Sequence, residues 1–246
     1  MNERAISHVP APARALLALA LALQLGWQAL VQPTAPARPE DLPLPPATSS
    51  LRLASFGDPV ALARLLTLYL QSFDAQGDRS IAWRQLDYPR VQAWLAASLA
   101  LDPRGQTPML LASRVYGEVT GDEARQRQML AFVRQQFEAD PNRRYPWLAH
   151  ASVLARHRLK DLPLAREYAQ AMRLQATGPE VPHWARQMEI LLLEDMNELD
   201  MARVLLGALI SSGQVKEENE LRFLRERLVE VEEKMSGARS SAGGTP

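Results

Sequence analysis

The chain has no cysteine among its 246 residues. Disulfides, thiol nucleophiles and cysteine-ligated zinc are excluded, and the absence suits the cytosol and an oxidising compartment equally. It also lacks an excess of either charge, since 28 Lys and Arg balance 28 Asp and Glu. A neutral chain has no long-range attraction for a polyanion, so nucleic acid is not expected as a partner. Close glycine pairs are confined to Gly117/Gly121 and Gly243-Gly244, and neither has a phosphate-loop lysine in register. No stretch from Leu51 onward alternates with period two for long enough to suggest a strand.

Hydrophobic residues make up 47% of the chain, enough for a sizeable core. Eight of the 18 prolines lie before Leu51, and six of them fall between Gln32 and Ser50. Such a segment cannot fold as a helix and acts as a semi-rigid spacer, so 32–50 is expected to be a linker. Before it lies the uncharged run Ala15–Val31, whose length is at the lower edge of what spans a bilayer. Arg4 and Arg14 precede this run, while Arg38, Glu40 and Asp41 follow it. The positive-inside rule therefore places residues 1–14 in the cytoplasm and everything after Val31 outside. A single-pass signal anchor in the inner membrane is expected, with the folded part periplasmic if the host is Gram-negative. Cleavage after Ala37, in the small-x-small sequence Ala35-Pro36-Ala37, is the competing reading, and a buried helix is the third. Gln24 and Gln28 share a helix face, where they either bond another membrane helix or sit at the interface.

Pro103, Pro141 and Pro179 recur at one fixed spacing, closing Leu-Asp-Pro, Ala-Asp-Pro and Thr-Gly-Pro. Helix-opening prolines are expected at Pro108, Pro146 and Pro182, and inter-helix turns near 121, 160 and 198. Three markers sharing one period point to stacked helix pairs. A helix is expected over Pro59–Phe73, and another from near Pro89 to Leu101 with Val91, Leu95 and Leu99 on one face. The next pair carries Met109, Ala112, Tyr116 and Val119, then Leu130, Val133 and Phe137. A third carries Trp147, Ala151 and Leu154, then Ala165, Tyr168 and Met172. The fourth carries Trp184, Met188 and Leu191, then Ala202, Leu205 and Leu209.

The large-small-large triplets Met109/Ser113/Tyr116, Trp147/Ala151/Leu154 and Trp184/Met188/Leu191 resemble the first helices of the tetratricopeptide repeat (TPR) superfamily. The second helices fit less well: the family's aromatic position holds Leu95, Val133 and Ala171. The period, about 38, is longer than the family's usual value of about 34, and the leucine-glycine pair of the first helix is missing. The resemblance covers about 59–213. It implies an all-α solenoid of about four helical hairpins with a concave face that holds peptides or proteins, and it implies no catalytic residue. Leu221, Leu224, Leu228 and Val231 form a narrow stripe in the charged stretch 216–235, as a capping helix requires; a short coiled coil is the competitor. The repeat domain is expected to end at 235, followed by a disordered tail, 236–246.

Asp74–Tyr88 is a long connection holding Trp83. Asp74, Gln76, Asp78, Ser80 and Ile81 partly follow a calcium loop, but Arg79 replaces the turn glycine and Gln85 the bidentate glutamate, so no calcium site is expected. His150 and His157 share one side of a helix with no carboxylate beside them on that face, a poor metal site. Neither metal nor cofactor is expected. Charge is uneven despite the neutral sum. Basic residues dominate Arg134–Arg166, while Glu189–Asp200 holds five acids and no base. Pairing between neighbouring repeats or solvated surfaces would account for this. So would a bipolar groove in which Arg114, Arg144, Arg156, His157 and Glu189 contact a partner. The expected function is a membrane-anchored protein-interaction scaffold or assembly factor of a cell-envelope complex. The alternatives are a helical envelope enzyme such as a peptidoglycan-processing factor, using Glu189 or Glu118, or a structural subunit of a secretion or pilus machine.

Overall fold

The computed structural model describes residues 10–30, 42–74, 86–118, 121–213, 215 and 217–242, and the side chains of all of these except 28–30, 74 and 237–242. The 75–85 connection, Val119, the Ala35–Ala37 sequence and the side chain of Gln28 lie outside the described residues.

The described residues form eleven helices and no strands. These are α1 (Ala11–Leu30), α2 (Thr48–Ala54), α3 (Pro59–Asp74), α4 (Tyr88–Leu101), α5 (Thr107–Tyr116), α6 (Glu123–Ala139), α7 (Pro141–His157), α8 (Leu162–Gln175), α9 (His183–Asp195), α10 (Leu199–Ser211) and α11 (Glu218–Ala242). The second part of α5, Leu111–Tyr116, is wound as a π-helix. Substantial packing connects only helices that are adjacent or next but one in the chain, from α2 through to α11. One apolar core runs from Leu42 to Leu192, and a second joins Ile190 and Leu193 of α9 to Ala202, Leu206, Leu224 and Val231.

The period has a concrete structural form at the turns. Gly121, Lys160 and Asn197 each adopt a left-handed conformation, with φ of 87°, 53° and 58°. Each is followed at once by an acidic residue that starts the next helix: Asp122, Asp161 and Glu198. The carboxylates of Asp122 and Asp161 accept the backbone N–H of Arg125 and Leu164, both at 3.0 Å. Asp87 does the same for Arg90 at the start of α4. A left-handed residue reverses the chain, and at Asp122 and Asp161 the acid then satisfies an orphan donor of the helix it opens, whereas the Glu198 side chain makes no such bond and pairs with Arg166.

Hydrogen bonds one repeat apart tie the pairs together. Gln92 and Gln128 join α4 to α6, Arg127 joins α6 to Asp161, and Arg166 joins α8 to Glu198. Trp147 Nε1 donates to Gln106 Oε1 at 2.7 Å. The first turn of α7 holds both neighbouring connections: Arg144 Nη2 donates to the Pro103 carbonyl at 3.1 Å, and Asn142 Oδ1 accepts from the Gly178 N–H at 2.8 Å.

Several expectations are corrected. Pro141 does not close a unit; it is the first residue of α7, with Asp140 alone separating it from α6. Pro146 lies inside α7 and opens nothing. In α9 the buried face is Ala185, Glu189, Ile190, Leu192 and Leu193, not Trp184, Met188 and Leu191. Trp184 is half exposed and meets Tyr145 edge-on at 6.0 Å. The linker does not extend to residue 50. Leu42 is buried, Arg90 and Trp94 donate to the Leu42 and Pro43 carbonyls at 2.6 and 2.7 Å, and α2 begins at Thr48. Prolines carry no N–H, so the carbonyls of this segment take side-chain donors instead of a ladder. Finally, α11 continues to Ala242, through what was expected to be tail.

Every described side chain of α1 is exposed, including Gln24. Among the described residues no single helix is long and apolar enough to cross a membrane; Ala11–Trp27 is a shorter apolar helix. The pair α2 and Pro59–Phe73, bent by 112°, is apolar enough in combination, but it buries Leu51, Leu66, Leu70 and Phe73 in the core.

Candidate functional site

An open groove of about 360 Å³ runs between α8 and α10 over α9. Three elements build it at helical spacing. Arg166, Gln170 and Arg173 come from one face of α8, Glu189 and Leu193 from α9, and Met201, Val204, Leu205 and Ala208 from α10. Residues three, four and seven apart share a helix face, so each set points the same way. Apart from Asp200 at its start, the α10 wall is apolar yet unburied: Met201 is 49% exposed and Val204 65%.

The floor is ionic. Glu189 is 2% exposed, which is costly for a carboxylate unless its oxygens are engaged. Arg173 Nε donates to Oε2 at 2.7 Å, and Gln170 Nε2 donates to Oε1 at 3.3 Å. Arg166 lies 3.7 Å from Oε1 through Nε, donates to Glu198 Oε2 at 2.8 Å through Nη1, and rests on Met201 Sδ at 3.5 Å. Two guanidiniums thus fix one carboxylate below an apolar wall. The groove offers a slot for an apolar side chain with a charged edge.

The expected partner-binding residues are dispersed. Arg144 is 4% exposed, and its guanidinium donates to the carbonyls of Gln136 and Pro103. It is a buried tie between connections. Desolvation pushes its pKa down, an effect that Asp140 opposes. Arg156 pairs with Asp195 Oδ2 at 2.7 Å, joining α7 to α9. Arg114 and His157 are exposed on α5 and α7. Glu189 alone of the five lies in the groove. The basic and acidic segments therefore meet each other, through Arg156–Asp195, Arg166–Glu198 and Arg166–Glu189.

His150 does have a carboxylate beside it. Glu118 Oε1 lies 2.9 Å from its Nε2, supplied by the preceding pair of helices rather than by its own helix face. His183, Glu217 and Glu220 also come together, with ligand atoms within 4.8 Å of one another. Sequence reading missed both groupings, and it missed the Met201/Val204 wall. The signal for the first two was the period itself, since Glu118 and His150, like His183 and Glu220, lie about one repeat apart in the chain. Nothing in the sequence distinguished Val204 from a core residue. No family model, curated protein or solved structure matches the chain.

Proposed function

We propose that the chain is a membrane-anchored, TPR-like α-solenoid that holds a protein or peptide partner in the cell envelope. The observation that carries this reading is the open groove of α8, α9 and α10, whose apolar wall stays exposed over an internally neutralised ionic floor. An envelope enzyme using Glu189 would need that acid free to exchange a proton. Glu189 is instead held by Arg173 and Gln170, an arrangement suited to a rigid docking surface.

The solenoid reading is supported by packing that follows chain order and by polar links spaced one repeat apart. The anchor reading is supported by α1, whose leucines at 16, 17, 19, 21, 23 and 25 are all more than half exposed. The described apolar stretch, Ala11–Trp27, falls short of a full span, so the anchor needs residues beyond Trp27 to complete it. Tethering at the membrane raises the effective concentration of a membrane-bound partner without new contacts.

A photo-crosslinking amino acid at Val204, in the full chain expressed in membranes, tests the reading. A discrete partner, identified by mass spectrometry, should appear at Val204 and be absent with the same probe at exposed Glu138 on α6. Equal labelling at both positions, or none at Val204, overturns it. Alkaline extraction should leave the full chain in the membrane pellet and release a chain lacking 1–31.

A further inference from the structure

A second cavity, about 540 Å³, opens on the far side of Arg173, between the start of α9 and the start of α11. It contains a polar conflict. His183 Nδ1 has Arg186 Nη2 at 3.0 Å and Glu220 Oε2 at 2.8 Å. A guanidinium only donates, so the Arg186 contact is a hydrogen bond when Nδ1 presents its lone pair. Glu220 Oε2 then faces that same lone pair. It is buried and has no hydrogen-bond partner, and the Glu220 side chain is only 9% exposed. The other oxygen, Oε1, accepts from Gln187 Nε2 at 2.7 Å, which fixes the direction of the carboxylate. Desolvation pushes the Glu220 carboxyl above its usual range, even with His183 and Arg186 beside it. The site is short of one positive centre between Nδ1 and Oε2.

We infer that His183, Glu217 and Glu220 form a site for a divalent cation of the zinc class, which pins α11 to α9. One imidazole nitrogen with two carboxylates is a donor set for zinc, whereas calcium and magnesium favour oxygen alone. Ligand atoms about 2.0–2.2 Å from a zinc ion stand roughly 3–3.5 Å apart. The 2.8 Å separation of Nδ1 and Oε2 therefore needs only a small spread. Glu217 is exposed, its carboxylate lies within 4.8 Å of the other two ligand atoms and closes in to supply the third ligand, and the cavity leaves room for water in the fourth position. Gln187 acts as the outer partner that orients Glu220. Arg186 occupies the Nδ1 lone pair in the metal-free arrangement and must swing into the cavity when the cation enters. The site is separate from the groove and does not depend on the partner-binding reading.

The role of Arg186 gives the test its direction. The tag-free full chain in detergent, stripped with chelator, is titrated with Zn²⁺ by calorimetry and with Co²⁺ by absorption. One equivalent should bind, with a tetrahedral cobalt spectrum and a rise in Tm. His183→Ala and Glu220→Gln should each weaken binding at least tenfold with an unchanged circular dichroism spectrum. Arg186→Ala, which removes both a competitor and a repelling charge, should strengthen it several-fold. The double variant His150→Ala/His157→Ala should bind as the parent does. The inference is overturned if the parent takes up no stoichiometric metal, which would leave a shared proton between Glu220 and His183. It is equally overturned if Glu220→Gln binds unchanged, if Arg186→Ala weakens binding, or if the His150/His157 variant loses it.

Discussion

Arg127 on α6 and Asp161, which caps α8, meet at 2.6 Å between Nη1 and Oδ2 although they lie a whole repeat apart in the chain. One carboxylate thereby does two tasks, closing the N-terminus of its own helix and holding the preceding pair. The Leu164 N–H, and after it the Arg127 guanidinium, keep the Asp161 carboxyl below the usual range. A carboxyl whose folded pKa is depressed contributes stability above its unfolded pKa of about 3.9 and loses it as pH falls through the folded value. Asp161→Ala should therefore cost about 1–2 kcal/mol at neutral pH, chiefly through the lost cap. The gap from the parent should shrink steadily below about pH 4. Urea unfolding across pH measures this; a gap that persists at low pH would refute it.

The turn residue before that cap yields a stabilising change. Lys160 holds φ of 53°, where a side chain costs roughly 1–2 kcal/mol, and it is exposed. Glycine relieves this cost and gives part of it back as chain entropy. Lys160→Gly should stabilise by about 0.5–1 kcal/mol, and Gly121→Ala, at φ of 87°, should destabilise by a similar or larger amount. Thermal unfolding of the two variants should move in opposite directions.

The recurrence of these turns explains how much of the fold was legible. A left-handed residue followed by an acid is a local chemical requirement, so turns near 121, 160 and 198 could be read from sequence. The helix faces of α4, α6 and α8 were legible for the same reason: Leu95, Val133 and Met172 are each buried at the expected spacing. The register of α9 was not, because its core position is filled by Glu189, a residue whose burial depends on Arg173 and Gln170 from another helix. Charge clusters misled in the same way. Arg144 and Arg156 stand among basic residues in sequence, but their partners Pro103 and Asp195 come from other segments of the chain. Pro141 and Pro146 show a further limit, since proline suits the first turn of a helix but does not say which of two prolines opens it.

Arg144 provides a discriminating case. A contact residue on a binding face can be truncated without harm to the fold, whereas a buried tie cannot. Arg144→Ala removes charged donors from the Gln136 and Pro103 carbonyls and empties the space of a side chain that is 4% exposed. A loss of about 2–4 kcal/mol is expected. Hydrogen exchange should quicken at the α4–α5 connection and in the first turn of α7. Partner capture by the fraction still folded should be unchanged. Full stability with impaired capture would instead return Arg144 to the binding surface.

Val204 should behave in the opposite way. It is 65% exposed, so Val204→Glu should leave stability within about 0.5 kcal/mol of the parent. The new carboxylate would stand on the apolar wall, above a floor whose guanidiniums already engage Glu189 and Glu198. A partner that inserts an apolar side chain would then have to desolvate a charge, and capture should weaken about tenfold or more, equivalent to about 1.4 kcal/mol. Val204→Leu, which keeps the wall apolar, should retain it. Capture that resists Val204→Glu, while an equivalent charge at exposed Leu110 or Val153 abolishes it, would move the proposed binding surface to α5 and α7.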